Sequence, residues 1–350
     1  MKFPFLIFLL AGLCLAALAP PLAAQPESKA SLTLQEIRRR GAVVCGASAP
    51  APGFAVVDEA GNWSGFDVDF CRALAVAVLD DPQRIRIEPL QYKQRLPALH
   101  SGEVDVLLSG APWTQAREAG HQLLYGAITF YGGQGFLERR ATAATGEPWL
   151  GVGGEPPRVC VQQGGASELN VAEFYRARGV AYRSVAFASL EEAARAYDAG
   201  NCDLFSAGLV ELHELRARLR KPGDHVVAAE LISKSPVAPI VRQGDDQWFN
   251  VVRWTLFAMV EAEEFAVGAQ TVDAALTSEI PDLRRLLGAD GDFGEGLGLR
   301  ADWAYRVIRE VGNYAEVFER NLGMSSPLAM ERRQNALWTK GGLMYAPPVR

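Results

Sequence analysis

The chain has 350 residues, 49% of them hydrophobic and 22% charged, with a formal net charge of −6. That length suffices for two lobes of ordinary domain size. The acidic balance disfavours nucleic acid or an anionic membrane surface, and no nucleic-acid partner is expected.

Lys2 precedes an almost unbroken apolar run, Phe3 to Ala19, and then Pro20, Pro21, Leu22, Ala23 and Ala24. A positive start, an apolar core and a small-residue zone make residues 1–24 an expected signal peptide, cleaved near Ala24. The apolar core is short and no basic stop-transfer cluster follows it, which speaks against a membrane anchor. Cys14 follows Leu13 rather than a small residue, against a lipoprotein signal. Loss of Lys2 takes the net charge to −7. Cys45, Cys71, Cys160 and Cys202 remain, and an even count in an exported chain suggests two disulfides with three possible pairings. Two cysteines lie in each half, so Cys45–Cys71 with Cys160–Cys202 is the economical choice. No CxxC spacing occurs and the four histidines are scattered, so no metal site or cofactor is expected.

In chain order, Arg38 to Arg40 end a short polar helix and Gly41 stops it. Ala42 to Cys45 reads as a strand entering the small-residue loop Gly46 to Gly53. A hairpin turn is expected at Asp58 to Trp63. Ser64 and Asp67 loosely match a capping box. Phe66, Phe70, Cys71, Leu74, Ala77 and Val78 then have the spacing of an amphipathic helix. Ile85 to Leu90 alternates as a strand, and Leu96 to Leu99 belongs to a second helix. Val104 to Leu108 reads as a buried strand ending in Ser109, Gly110, Ala111 and Pro112. Thr114 can cap a short helix with Arg117 in its first turn. A strand end, a small-residue turn and a guanidinium at a helix start together suit a carboxylate.

The second half repeats this pattern. A strand at Arg158 to Val161 runs into Gln163, Gly164, Gly165 and Ala166. A helix from Ser167 to Ala177 and a strand at Tyr182 to Phe187 follow. Ser189 with Glu192 opens another helix that Gly200 stops. The next strand begins Gly200-Asn201-Cys202-Asp203, where the first half has Gly102-Glu103-Val104-Asp105. Phe130 to Leu137 and Pro239 to Gln243 read as extended segments bracketing the second unit, hence as a two-segment hinge. Asp245 and Asp246 start an apolar helix that is too short, and too interrupted by Arg253, to span a membrane. The expected fold class is α/β: two lobes, residues 35–136 plus 238–350 and residues 137–237.

The segments 61–74 (GNWSGFDVDFCRAL), 101–107 (SGEVDVL), 131–136 (YGGQGF), 242–258, 311–323 and 335–350 resemble the polar amino-acid substrate-binding proteins of ABC transporters. The similarity is to the branch serving general L-amino-acid import in Gram-negative bacteria. It implies a type II periplasmic binding fold whose lobes close on a ligand, a periplasmic monomer, and a membrane permease as partner. By that resemblance the ligand contacts are Ala51, Tyr92, Gly110, Trp113, Thr114 and Arg117 from lobe one. Gln163, Gly164 and Ser167 would come from lobe two. Arg117 matches the family's carboxylate-binding Arg.

Three positions depart from the family's pattern. Pro112 stands where Ser or Thr is usual, and proline supplies neither hydroxyl nor N–H. Gly165 and Ala166 replace the two Thr of a G-T-T turn. Asp203 matches the structural Asp of a D-A-x-x-x-D pattern, but Gly208 falls where the ligand-binding Asp would stand. The expectation is a solute-binding protein with altered recognition of ordinary amino acids. Enzymatic activity, known in this fold from cyclohexadienyl dehydratases, is not expected, because no carboxylate is apparent in either ligand loop to replace the missing ones.

Overall fold

The computed structural model describes residues 31–48, 50–108, 112–143 and 155–350, which form one unit. The expected signal peptide and the turn Ser109, Gly110 and Ala111 lie outside the described residues.

Ser31 Oγ accepts a hydrogen bond from Leu34 N at 3.0 Å and caps α1 (Leu32–Arg40), which Gly41 ends at φ 73°. The apolar run behind it forms β1 (Val43–Ala47), buried throughout. The expected hairpin is made by β2 (Val56–Val57) and β3 (Trp63–Ser64). The amphipathic helix is α2 (Phe66–Leu79), but its expected capping box does not form. Ser64 pairs with Val56 in the hairpin, and Gly65 takes the N-cap position. Gly65 has φ 131°, and a Cβ there would run into the Phe54 backbone. The carbonyls of Gly53 and Phe54 accept from Phe66 N and Asp67 N at 2.8 and 3.0 Å, doing the work of a capping side chain.

The lobe continues through β4 (Ile85–Pro89), α3 (Arg95–Ser101), β5 (Val106–Leu108), α4 (Gln115–Gly120) and β6 (Leu123–Tyr125). The chain crosses over through β7 (Phe130–Gly132) into β8 (Gln134–Arg139) and α5 (Arg140–Ala143). The second unit is β9 (Arg158–Gln162), α6 (Ala166–Arg178), β10 (Arg183–Phe187), α7 (Leu190–Asp198), β11 (Leu204–Gly208), α8 (Leu209–Arg218) and β12 (His225–Val227). The return crossing is β13 (Ser235–Val237), paired with β7, and leads to β14 (Ile240–Arg242).

Two five-stranded sheets result, ordered β4-β1-β5-β14-β6 and β10-β9-β11-β8-β12. Each has three parallel strands from one local unit. Each then gains a strand next to a crossing, β14 or β8, antiparallel to both its neighbours. Gln134–Phe136 pair with Ser206–Gly208 in the second sheet. The crossing therefore falls at Gly132 and Gly133, slightly before the boundary expected after Phe136.

Both economical disulfide pairings form, Cys45–Cys71 with Cα atoms 6.3 Å apart and Cys160–Cys202 at 5.7 Å. The remaining chain builds α9 (Asp246–Glu264), α10 (Val272–Ala275), α11 (Pro281–Leu286), α12 (Trp303–Val311) and α13 (Tyr314–Asn321). α2 packs against α9, α12 and α13, which explains why it is buried on nearly every face. Beyond α13 the chain reaches the crossing and the second lobe. Asn335 Oδ1 accepts from Tyr131 N at 2.7 Å, while Arg333 donates to the carbonyls of Val227 and Ala228 at 2.9 and 2.6 Å.

Candidate functional site

Ligands of open α/β sheets bind outside the carboxyl ends of the strands. Here a cavity of about 300 Å³ lies at such ends. Lobe one contributes Ser48, just past β1, with Ala51, Phe54 and Pro112. The crossings contribute Phe130, Gly132, Gly133, Ser235 and Val237. Lobe two contributes Gly208, Leu209, Val210 and Glu211. The walls are mainly apolar or backbone, with a few polar groups, as small-molecule sites tend to be.

Phe54 belongs to the core, being 6% exposed and packed edge-on against Phe66 and Phe130 at 5.8 and 5.3 Å. Its surface nevertheless forms part of the cleft. Ser48 Oγ is buried and has no hydrogen-bond partner among the described residues. Leu209 N donates to Gly133 O at 2.8 Å and ties the start of α8 to the crossing.

Glu211 is the one ionisable side chain lining this cavity among the described residues. A carboxylate was not expected here. The signal that points to it is its place in the first turn of α8, from which a Glu can reach back toward the cap residue. The cap is Gly208, and a methyl group added there would collide with Glu211 Oε2. The carboxylate thus lies over the glycine, in the space a side chain at 208 would need.

A second cavity of about 280 Å³ is lined by Tyr92, Lys93, Arg95, Arg117, His121 and Tyr125, among others, and its described lining includes no acid. Arg117 Nη1 donates to the carbonyl of Pro112 at 2.7 Å, so the guanidinium stands one residue from the main cleft. Tyr125 is 3% exposed and its hydroxyl has no partner among the described residues; burial raises its pKa. Burial also pulls the Arg95 guanidinium below its ordinary range. Arg95 lies over the Tyr92 ring at 5.7 Å.

Of the residues expected at the site, Ala51 lines the main cleft, while Arg117 and Tyr92 line the basic cavity. Trp113 stacks on Tyr125 at 5.3 Å, and its indole donates to Glu118 at 2.7 Å. Thr114 caps α4, accepting from Arg117 N at 3.4 Å. Gln163, Gly164 and Ser167 follow β9: Gln163 N donates to Phe187 O, Gly164 N to Glu168, and Ser167 O accepts from Gln134. Gly110 lies outside the described residues. Among the described residues no cluster of three or more His, Cys, Asp or Glu could hold a metal, and no helix is long and apolar enough to cross a membrane.

The sequence profile of the bacterial extracellular solute-binding proteins, family 3, matches residues 43–267. The chain is 44% identical over 334 residues to the general L-amino acid-binding periplasmic protein AapJ of Rhizobium johnstonii, covering 95% of this chain and 97% of that one. It is 43% identical to the putative amino-acid ABC transporter-binding protein YhdW of Escherichia coli K12, over 96% and 98% of the two chains. Among solved structures, a periplasmic binding protein from Brucella ovis with glutathione bound superposes with a TM-score of 0.76 at 43% identity. That match covers 91% of this chain and 99% of the other.

Proposed function

The chain belongs to the bacterial extracellular solute-binding proteins, family 3, and on that premise we propose that it captures a small carboxylate-bearing ligand, an amino acid or a short peptide relative. It is a binding protein with the type II periplasmic fold, not an enzyme. Its place is the periplasm, after cleavage of residues 1–24, and it passes ligand as a monomer to the permease of an ABC transporter. The observation that carries the ligand class is Arg117, hydrogen-bonded to Pro112 O at the cleft edge within a cavity lined by four basic residues. A guanidinium presents a planar fork suited to a carboxylate.

The test is thermal unfolding of the mature protein with each common L-amino acid and with reduced glutathione. A ligand with Kd of about 1 μM, present at about 100-fold excess, stabilises by about 2.7 kcal/mol. The Arg117→Ala protein is expected to lose that stabilisation while its ligand-free melting stays unchanged. If no carboxylate-bearing compound shifts the melt, the reading fails. Pro112, which brings no N–H to the cleft, then favours a diverged member with a different ligand or a sensing role.

A further inference from the structure

We infer that Glu211 is the counter-charge for a ligand ammonium group and decides which ligands the cleft accepts; this rests on the capture of an amino acid or peptide proposed above. Three observations converge on it. Glu211 is the one ionisable side chain among the described residues lining a cavity otherwise walled by Ala51, Phe54, Leu209, Val210 and backbone. Its carboxylate makes no hydrogen bond or ion pair to any described residue, so it is not consumed in capping α8 or in a surface pair. It also folds over Gly208, where a Cβ would meet Oε2, so the glycine is what lets the carboxylate lie against the end of β11.

The chemistry follows from the walls. An ammonium brought among apolar groups without a partner loses its hydration at a cost of several kcal/mol. A carboxylate on the cavity wall, as on the solvent-exposed Glu211, offsets that cost through charge-assisted hydrogen bonds. Ser48 Oγ, buried and unpartnered on the opposite lobe, is a further group able to accept from the same ammonium. Gly208 and Glu211 thereby act as a pair: the charge comes from position 211 because position 208 has no side chain in its way. Residues 208 and 211 together determine whether a free amine is favoured over its uncharged derivative.

The experiment measures calorimetric affinities of the mature wild-type protein, Glu211→Gln and the double variant Gly208→Asp/Glu211→Gly. The probes are L-glutamate, L-glutamine and reduced glutathione, each beside its N-acetyl form. Glu211→Gln is expected to weaken the tightest free-amine probe at least tenfold, to change the N-acetyl form less than twofold, and to leave ligand-free melting unaltered. The double variant, which returns a carboxylate from position 208, is expected to recover most of the loss. Unchanged free-amine affinity in Glu211→Gln overturns the inference, as does an equal loss for both forms or a failed recovery. If the wild type binds none of the probes, the capture reading itself falls and this inference with it.

Discussion

The two lobes use the same device at the same place with opposite electrostatic outcomes. Asp105 stands just before β5 and Asp203 just before β11, the third strand of each parallel set. Asp105 N donates to Val44 O at 2.8 Å and its carboxylate accepts from Val44 N at 2.7 Å. Asp203 N donates to Arg158 O at 2.9 Å and its carboxylate accepts from Arg158 N, also at 2.9 Å. Each carboxylate also pairs with an arginine, Arg40 in lobe one and Arg158 in lobe two. The side chain of Asp105 is 2% exposed and that of Asp203 is 39% exposed. Burial raises the Asp105 pKa despite its partners. At Asp203 burial also pushes upward, but the hydrogen bonds from Arg158 outweigh it and the net direction is down. Solvent access, rather than the motif, decides in which direction such an aspartate's pKa moves.

The sharpest way to break this comparison is to remove each carboxylate. Asp105→Ala leaves Arg40 partly buried without its partner and is expected to cost about 3–5 kcal/mol. Asp203→Ala loses an exposed pair and is expected to cost about 1 kcal/mol or less. Urea unfolding of both variants measures the difference, and equal costs would contradict the role given to burial.

The disulfides should distinguish the lobes far less. They close separations of 26 and 42 residues. By chain entropy, replacing Cys45 and Cys71 with Ala costs about 3.5 kcal/mol and replacing Cys160 and Cys202 about 4 kcal/mol. Calorimetry of the two double variants under oxidising conditions tests this near-equality.

A smaller contrast lies in two buried glutamates. Burial pushes Glu138, in β8, and Glu261, in α9, each up to about 7 from an ordinary 4.5. Each folded-state carboxyl holds a proton that the unfolded chain releases between those values. Their contribution to stability is full below pH 4.5 and is lost as pH rises through 7. Glu138 Oε2 has no partner among the described residues, whereas Glu261 Oε2 accepts from Val349 N at 3.1 Å. Glu138→Gln is therefore expected to stabilise the protein at pH 8 by about 2 kcal/mol and Glu261→Gln by about 1 kcal/mol. Both gains should vanish at pH 4, as read by thermal unfolding across that range.

The smallest contrast concerns helix caps. Ser189 accepts from Glu192 N at 3.2 Å at the start of α7, while Thr114 accepts from Arg117 N at 3.4 Å before the six-residue α4. Ser189→Ala should cost about 1 kcal/mol and Thr114→Ala about 0.5 kcal/mol, measured in the same urea titrations.

Much of the fold was legible because local rules and tertiary packing agree. Apolar runs at 43–47 and 204–208, glycine stops at Gly41 and Gly200, and Asp245 ahead of the long α9 each act within a few residues of themselves. The repeated Gly-x-x-Asp likewise announced two similar units. The capping box at Ser64 misled because the same residue was claimed by a hairpin, and backbone carbonyls from the preceding loop did its work. The candidate site was legible in part. Arg117 and Ala51 sit at cavities, but Tyr92 and Arg117 share the basic one rather than lining the main cleft. Glu211 was overlooked because it lies three residues beyond the loop, and only the first turn of α8 carries it back.

By itself the sequence determined the α/β alternation, the doubled unit and the family to which the chain is similar, and it made the pairing of cysteines within halves the economical choice among three. Those properties rest on periodicity, turn chemistry and motifs read over short spans. Only the tertiary structure decided that β14 and β8 complete each sheet from beside a crossing. It alone placed a carboxylate from one lobe on the cleft wall and gathered basic residues from α3, α4 and their loops around one cavity. Such arrangements depend on which surfaces meet after folding, and helical reach and burial set them more than spacing along the chain.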